Sequence, residues 1–191
     1  MQKLIFTLLF MISLSITAQN HQTYSLDTEK SVLHWRGSYA FHFSQHNGTV
    51  SFKEGQLITD NGSITGGSFV IDMTSITNED YLLSQGPVKH LKNGDFFDVP
   101  TFPEATLVLT SIEYFSNDNT HRIYADLTIK GITNSIKFYA DVDGDQNTMK
   151  AEIIVDRTLW GITYNNRLKN DAISDAIEFQ AELYFYTNDF E

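Results

Sequence analysis

Alternation of apolar and polar residues with a period of two runs through most of the chain after its first twenty residues. The clearest case is residues 176–186, where Ile177 and Phe179 alternate with Glu178 and Gln180. Successive side chains of a β-strand point to opposite faces, so this pattern predicts strands with one apolar face and one solvated face. The chain is therefore expected to be an all-β protein.

Eight stretches carry this pattern, and several are separated by short polar clusters such as Asp60-Asn-Gly-Ser63. Such clusters form tight turns, and tight turns join antiparallel neighbours. We expect the strands to follow one another as an antiparallel meander. The predicted strands are residues 31–37, 49–58, 64–73, 105–115, 121–131, 135–143, 148–157 and 176–186.

Residues 76–103 break the alternation between the third and fourth predicted strands. Residues 78–83 and 88–91 within this segment could form short helices, so a short helical insertion is expected here. The chain has no internal repeat and no linker, which favours a single domain. Eight strands of this length fit either a closed up-and-down barrel or a two-sheet sandwich, and the period alone does not separate the two.

The N-terminal segment has the features of a cleaved secretory signal, with a cation at Lys3, an apolar run over residues 4–16 and a small residue at Ala18. We expect residues 1–18 to be a cleaved signal peptide and residues 19–191 to form the mature domain, in the periplasm or secreted. The apolar run is too short to span a bilayer and no comparable run follows it, so an integral membrane protein is not expected.

The formal net charge of −11 at pH 7 argues against nucleic acid or an anionic membrane surface as a partner, because both bind cationic proteins. The sequence contains no nucleophile elbow, phosphate-binding loop or dinucleotide fingerprint. These observations favour a binding protein that is not an enzyme and uses no cofactor. With no cysteine in the chain, a disulfide framework is excluded.

Two segments resemble parts of metal sites. His42 and His46 are four residues apart, but they lie in an extended context without an acidic third ligand nearby. Residues 141–152 place oxygen-bearing side chains at calcium-loop positions, yet Gln146 stands where that loop needs a glycine. We therefore expect a polar hairpin at residues 141–152 and no bound metal.

Residues 90–105 hold three carboxylates, Asp95, Asp98 and Glu104, among phenylalanines and prolines. Two carboxylates facing one cleft would suit glycoside hydrolysis, so the alternative function is a hydrolytic or carbohydrate-binding β-sandwich module. The favoured interpretation is a corner of the fold. In that interpretation the carboxylates cap backbone N–H groups and the phenylalanines cover one end of the core.

Five motifs in order along the chain resemble the YceI-like family. They are residues 47–52, 66–76, 90–105, 127–133 and 156–162. The resemblance implies an eight-stranded, antiparallel, lipocalin-like barrel that carries a polyisoprenoid or another long-chain lipid. Members of that family are often dimers, so a homodimer is a further expectation.

A closed barrel gives the apolar faces of the strands a role in binding, because they would all face one interior. We expect the ligand to contact these inward side chains together with aromatic residues of the motifs at residues 90–105 and 156–162. The expected ligand-binding residues are Leu33, Trp35, Phe69, Ile71, Phe96, Phe97, Leu107, Leu109, Leu127, Ile129, Phe138, Ile153, Trp160, Phe179 and Leu183.

Overall fold

The computed structural model describes residues 20–39, 45–79, 86–164 and 173–187. Within these ranges the chain forms nine β-strands, one short α-helix and two 3-10 turns. The helix is α1 (Gly86–Lys92), and the 3-10 turns are Met73–Ser75 and Arg157–Trp160. The strands are β1 (His21–Leu26), β2 (Val32–Tyr39), β3 (Gln45–Asp60), β4 (Ser63–Asp72), β5 (Glu104–Phe115), β6 (Thr120–Ile129), β7 (Ile132–Asp143), β8 (Thr148–Asp156) and β9 (Ile173–Thr187).

Eight of the strands close into an antiparallel barrel. Around the ring the order is β2, β9, β8, β7, β6, β5, β4 and β3, and β3 completes the circle by pairing with both β2 and β4. The predicted all-β, eight-stranded antiparallel barrel is therefore confirmed. The alternative prediction of a two-sheet sandwich, which the period-two pattern also allowed, is wrong, because a single continuous sheet surrounds one interior.

Strand β1 is a finding that the sequence pattern did not predict. Strands β1 and β2 both pair with β3, one after the other along its length. His21 of β1 pairs with Asp60 of β3, and Leu33 of β2 pairs with Val50 of β3. A turn capped by Asp27 separates the two, where its Oδ1 accepts hydrogen bonds from the backbone N–H groups of residues 29 and 30. Strands β1 and β2 thus share one position in an eight-position barrel.

Two of the hairpins have two-residue turns between their strands. Asn61 and Gly62 have φ values of 49° and 80° between β3 and β4, and Lys130 and Gly131 have φ values of 52° and 73° between β6 and β7. Positive φ at both central residues is typical of the hairpin turn whose twist matches that of the strands. These turns fix the register that sends alternate side chains inward.

Residues 141–152 form the hairpin between β7 and β8, as the sequence predicts. The Oδ1 atom of Asp143 accepts hydrogen bonds of 3.0 Å from the backbone N–H groups of Asp145 and Gln146. This carboxylate therefore shapes the turn, as aspartates at this position of a turn commonly do.

The segment between β4 and β5 corresponds to the insertion predicted after the third predicted strand. It contains the 3-10 turn at residues 73–75 and helix α1. Asp72 caps the 3-10 turn, because its Oδ1 accepts from the backbone N–H of Thr74 at 2.9 Å. Most of the predicted helix at residues 78–83 lies outside the described residues.

The barrel has two unlike ends. At one end, called here the α1 end, β2, β4, β6 and β8 finish and helix α1 and the turns after it lie close to the barrel. At the opposite end, called the far end, Leu26, Leu57 and Phe185 are buried. The ring of Phe185 also contacts that of Phe69 with centroids 6.3 Å apart, so apolar side chains fill the far end.

Candidate functional site

A cavity of about 380 Å³ occupies the interior of the barrel. Side chains of strands β2 to β9 line its walls, and side chains of α1 and of the turn after it line the α1 end. Apolar side chains make up most of the lining. The volume is at the lower end of the range of about 300–1,000 Å³ that small-molecule sites occupy.

The structure brings together nearly all the residues expected to bind ligand. Every one of them except Trp160 borders the cavity. The bordering residues are Leu33, Trp35, Phe69, Ile71, Phe96, Phe97, Leu107, Leu109, Leu127, Ile129, Phe138, Ile153, Phe179 and Leu183. Their contact with a ligand stays a prediction.

Trp160 occupies a different place from the one expected. It is only 1% exposed, but its side chain does not border the cavity. The indole Nε1 donates a 3.0 Å hydrogen bond to the carbonyl oxygen of Leu127, so the ring fastens the second 3-10 turn to β6. Buried indole N–H groups generally find such an acceptor, which explains why this ring packs against backbone.

Several lining residues were absent from the sequence prediction. Some continue the inward alternation that the sequence shows, for example Val50 and Phe52 in β3 and Met149 in β8. These could have been found from the period alone. The polar lining residues carried no such signal, because they stand at strand ends or in connections. They are Ser38, Tyr39, His46, His90, Tyr164 and Ser174.

These polar residues all lie at the α1 end. Tyr39 ends β2 and His46 lies at the start of β3, and the Tyr39 hydroxyl is 3.1 Å from the Nε2 atom of His46. His90 lies in α1, and its ring contacts the ring of Tyr164 with centroids 4.1 Å apart. The cavity is therefore amphipathic, with polar groups at one end and apolar walls toward the other.

The described residues that border the cavity include no aspartate, glutamate, lysine or arginine. The nearest buried cation is Arg157, which is 2% exposed and has its Cζ atom 6.0 Å from the centroid of the Phe96 ring. Its guanidinium does not border the cavity. A ligand in this cavity would therefore meet no carboxylate, ammonium or guanidinium group along the described wall.

Protein acceptors occupy the Arg157 guanidinium. It donates to the carbonyl oxygens of Ser174 at 3.0 Å, Ile162 at 2.5 Å and Ile173 at 3.3 Å, and to Oδ1 of Asp175 at 3.1 Å. Burial lowers the pKa of Arg157, and the charge of Asp175 acts in the opposite direction. Arg157 thus joins the second 3-10 turn to the start of β9.

The three carboxylates of the alternative function lie outside the cavity. Asp95 is exposed, and Oδ1 of Asp98 accepts a 3.1 Å hydrogen bond from the hydroxyl of Thr101. Glu104 pairs with the Lys53 ammonium group at the barrel surface. Asp98 and Glu104 thus serve separate local contacts, and neither of these contacts is the backbone N–H cap that the favoured interpretation predicted.

No group of three or more histidine, aspartate or glutamate side chains that could hold a metal ion occurs in the part of the chain that the structure describes. Likewise, no helix within the described ranges is long and apolar enough to cross a membrane.

Residues 24–185 match the family described as the YceI-like domain. The chain belongs to this YceI-like family. The match runs from within β1 to within β9, so the family domain coincides with the barrel and its cavity.

Curated relatives of this YceI-like chain include UPF0312 proteins of Staphylococcus aureus. The protein of strain USA300 is 30% identical over 107 residues, and that of strain MRSA252 is 32% identical over 107 residues. Each alignment covers 50% of this chain and 59% of the relative. The chain thus spans less than two thirds of the length of these relatives.

Solved structures support the same architecture. BcnA of Burkholderia cenocepacia has a TM-score of 0.69 at 19% identity, with 83% of this chain and 98% of that chain covered. The YCEI protein of Campylobacter jejuni has a TM-score of 0.57 at 19% identity, with 74% and 85% covered. At these identities the likeness establishes the YceI-like fold.

Proposed function

We propose that this YceI-like protein is an exported carrier that holds the chain of one long amphiphile, a polyisoprenoid or a similar lipid, inside its barrel. The observation that supports this function is the cavity of about 380 Å³ with its almost entirely apolar lining. Export is supported by the signal-like pattern at residues 1–18. The proposal involves no covalent step and no cofactor.

The energetics of burial suit an aliphatic chain. Each CH₂ group moved from water into an apolar site contributes about 0.8 kcal/mol. Ten such groups contribute about 8 kcal/mol, which equals a dissociation constant of about 1 μM before association costs are subtracted. Longer chains offset those costs, so the cavity can retain a lipid without any ionic contact.

The shape of the cavity favours one extended chain over a bulky ligand. Its volume is small, and side chains of three different strands, Phe69 of β4, Phe138 of β7 and Leu183 of β9, border it. Specificity would then depend mainly on the width and length of the interior, with the polar groups at the α1 end selecting the head of the ligand.

The test is organic extraction of the purified full chain followed by mass spectrometry, together with titration by a fluorescent long-chain probe. The proposal predicts a long-chain amphiphile in the extract at about one molecule per protein, or stoichiometric binding of the probe to protein freed of lipid. A clean extract combined with no probe binding by the folded protein would overturn it.

A further inference from the structure

We propose that Phe185 determines the longest aliphatic tail that the barrel can bind. The inference rests on the proposed lipid-binding function and specifies the length of tail that the site takes. Its starting point is the place where the lining of the cavity stops. On β9 the lining continues as far as Leu183, whereas Phe185, the next residue on the same face of the strand, does not border the cavity.

The lining stops in a similar way on other strands. On β6, Leu127 borders the cavity, but the next two residues on that face, Ala125 and Ile123, do not. Both are 0% exposed, so they touch neither the cavity nor solvent. On β5, Leu109 borders the cavity, whereas Ile112, which pairs with Ile123, does not. The cavity therefore ends before the far end of the barrel.

Apolar side chains fill the barrel between the cavity and the far end. They come from six strands and either belong to the apolar core or pack against it. These side chains, called here the floor, are Leu26, Leu57, Ile112, Ile123, Val142 and Phe185. None of them borders the cavity. Because a packed interior has little free volume, additional tail carbons could enter this region only by displacing a side chain of the floor.

Phe185 connects the floor to the wall of the cavity. Its ring contacts the ring of Phe69 with centroids 6.3 Å apart, and Phe69 borders the cavity. The packing beside this contact is close, since a Cβ atom at Gly55 would lie 2.6 Å from a ring carbon of Phe69 and 2.9 Å from Cδ2 of Leu26. Phe185 therefore fills the space into which the cavity would otherwise extend past Phe69.

The polarity of the cavity determines which end of a ligand meets the floor. Polar lining residues such as Tyr39 and His46 lie at the α1 end, whereas Leu109, Met149 and Leu183 line the part next to the floor. A polar head beside the floor would lose its hydration without gaining a partner, which is costly. The aliphatic tail therefore ends at the floor, and any carbons beyond the depth of the cavity stay at the α1 end.

This arrangement predicts how affinity depends on tail length. Each CH₂ group buried in an apolar site lowers the dissociation constant about fourfold. Affinity should therefore rise by about that factor with each added carbon until the tail reaches the floor. Beyond that length, called here the break, affinity should rise no further.

The test measures dissociation constants for saturated fatty acids from octanoic to octadecanoic acid, by competition with a fluorescent long-chain probe. The lipid-free wild-type protein is compared with Phe185→Ala, in which the inference predicts a break at least two carbons longer. The acid two carbons longer than the wild-type break should then bind Phe185→Ala roughly tenfold more tightly than it binds the wild type. Octanoic acid should bind both proteins equally.

Tyr186→Ala is the matched control, because Tyr186 is the next residue of β9, lies on the outer face and is 49% exposed. Its break should equal that of the wild type. A break that stays at the wild-type length in folded Phe185→Ala, or a wild-type series without a break, would overturn the inference and leave lipid binding intact. Failure of the probe and of every acid to bind the folded protein would instead overturn the proposed function.

A second measurement covers the case in which Phe185→Ala does not fold. A fatty acid of the wild-type break length, with a photoreactive diazirine at its last carbon, is crosslinked to the wild-type protein, and mass spectrometry identifies the labelled residues. We expect labels on Met149 or Leu183, which line the cavity next to the floor. Labels on Tyr39 or His46 at the α1 end would overturn the inference.

Discussion

The indole Nε1 of Trp35 donates a 3.0 Å hydrogen bond to the carbonyl oxygen of Thr77, and this bond joins the interior of β2 to the segment that follows β4. The same segment pairs with the start of β3, where the backbone N–H of Thr77 donates to the carbonyl oxygen of Thr49 at 2.9 Å. The chain after β4 thus lies directly over β3 at the α1 end. The close approach of Thr77 to β3 leaves no room for a side chain at position 48, which is a glycine.

Replacement of Gly48 by alanine should destabilise the barrel. A Cβ atom at Gly48 would lie 2.1 Å from the carbonyl oxygen of Thr77, so the crossing segment would have to move. We expect Gly48→Ala to lower the free energy of unfolding by about 1–3 kcal/mol, as overpacking does. Urea denaturation measures this change. Gly66→Ala is the control, since the nearest atom to its Cβ would be 3.9 Å away, and an equal loss there would contradict the explanation.

Removal of the Arg157 guanidinium should also destabilise the fold. Arg157→Met would leave the buried carbonyl oxygen of Ile162 and the partly buried carbonyl oxygens of Ile173 and Ser174 without this donor. We expect a loss of about 3 kcal/mol or more, because unpaired buried polar groups are costly. The comparison is Arg36→Met, whose ion pair with Glu178 is exposed and should contribute about 0–1 kcal/mol. Equal midpoints for the two variants in urea would contradict this role of Arg157.

Stability should fall on mild acidification because of His121. Burial lowers the pKa of His121, and the charge of Asp141 opposes this effect. The folded state therefore favours the neutral ring, so its stabilising contribution is complete above the unfolded pKa of about 6.5 and is lost as the pH falls through the folded pKa. Urea denaturation between pH 8 and pH 5 should show a smaller decline for His121→Gln than for the wild type. Identical declines would show that the histidine does not contribute.

Most residues that line the walls of the cavity were predictable from the sequence. The alternation of apolar and polar residues along each strand places Phe69, Leu127 and Leu183 on the apolar, inward face, whether or not a ligand is bound there. The prediction that Trp160, an aromatic residue of the motif at residues 156–162, lies against the cavity was wrong, because its indole N–H needs an acceptor and the backbone carbonyl of Leu127 supplies one. Strand β1 escaped prediction because the six residues 21–26 include only two large apolar side chains, Tyr24 and Leu26.

The polar end of the site could not be predicted, because its residues come from separate connections. Tyr39, His90 and Tyr164 are far apart in the sequence and meet only when the barrel closes and α1 lies against its end. Neither spacing nor periodicity relates them. The buried Nε2 of His90 in particular is a property of tertiary packing, as its ring is enclosed by residues from other segments.

The most direct test of lipid binding in the interior is to fill that interior with a side chain. Ala151 of β8 borders the cavity, so Ala151→Phe would place a ring in the space assigned to the aliphatic chain. Ile154 lies on the opposite face of the same strand and is 67% exposed, so Ile154→Phe is the matched control. The measurement is titration of lipid-free protein with a fluorescent long-chain probe. We predict that Ala151→Phe weakens binding at least roughly tenfold while Ile154→Phe binds as the wild type does. Unchanged binding by a folded Ala151→Phe protein would contradict the account.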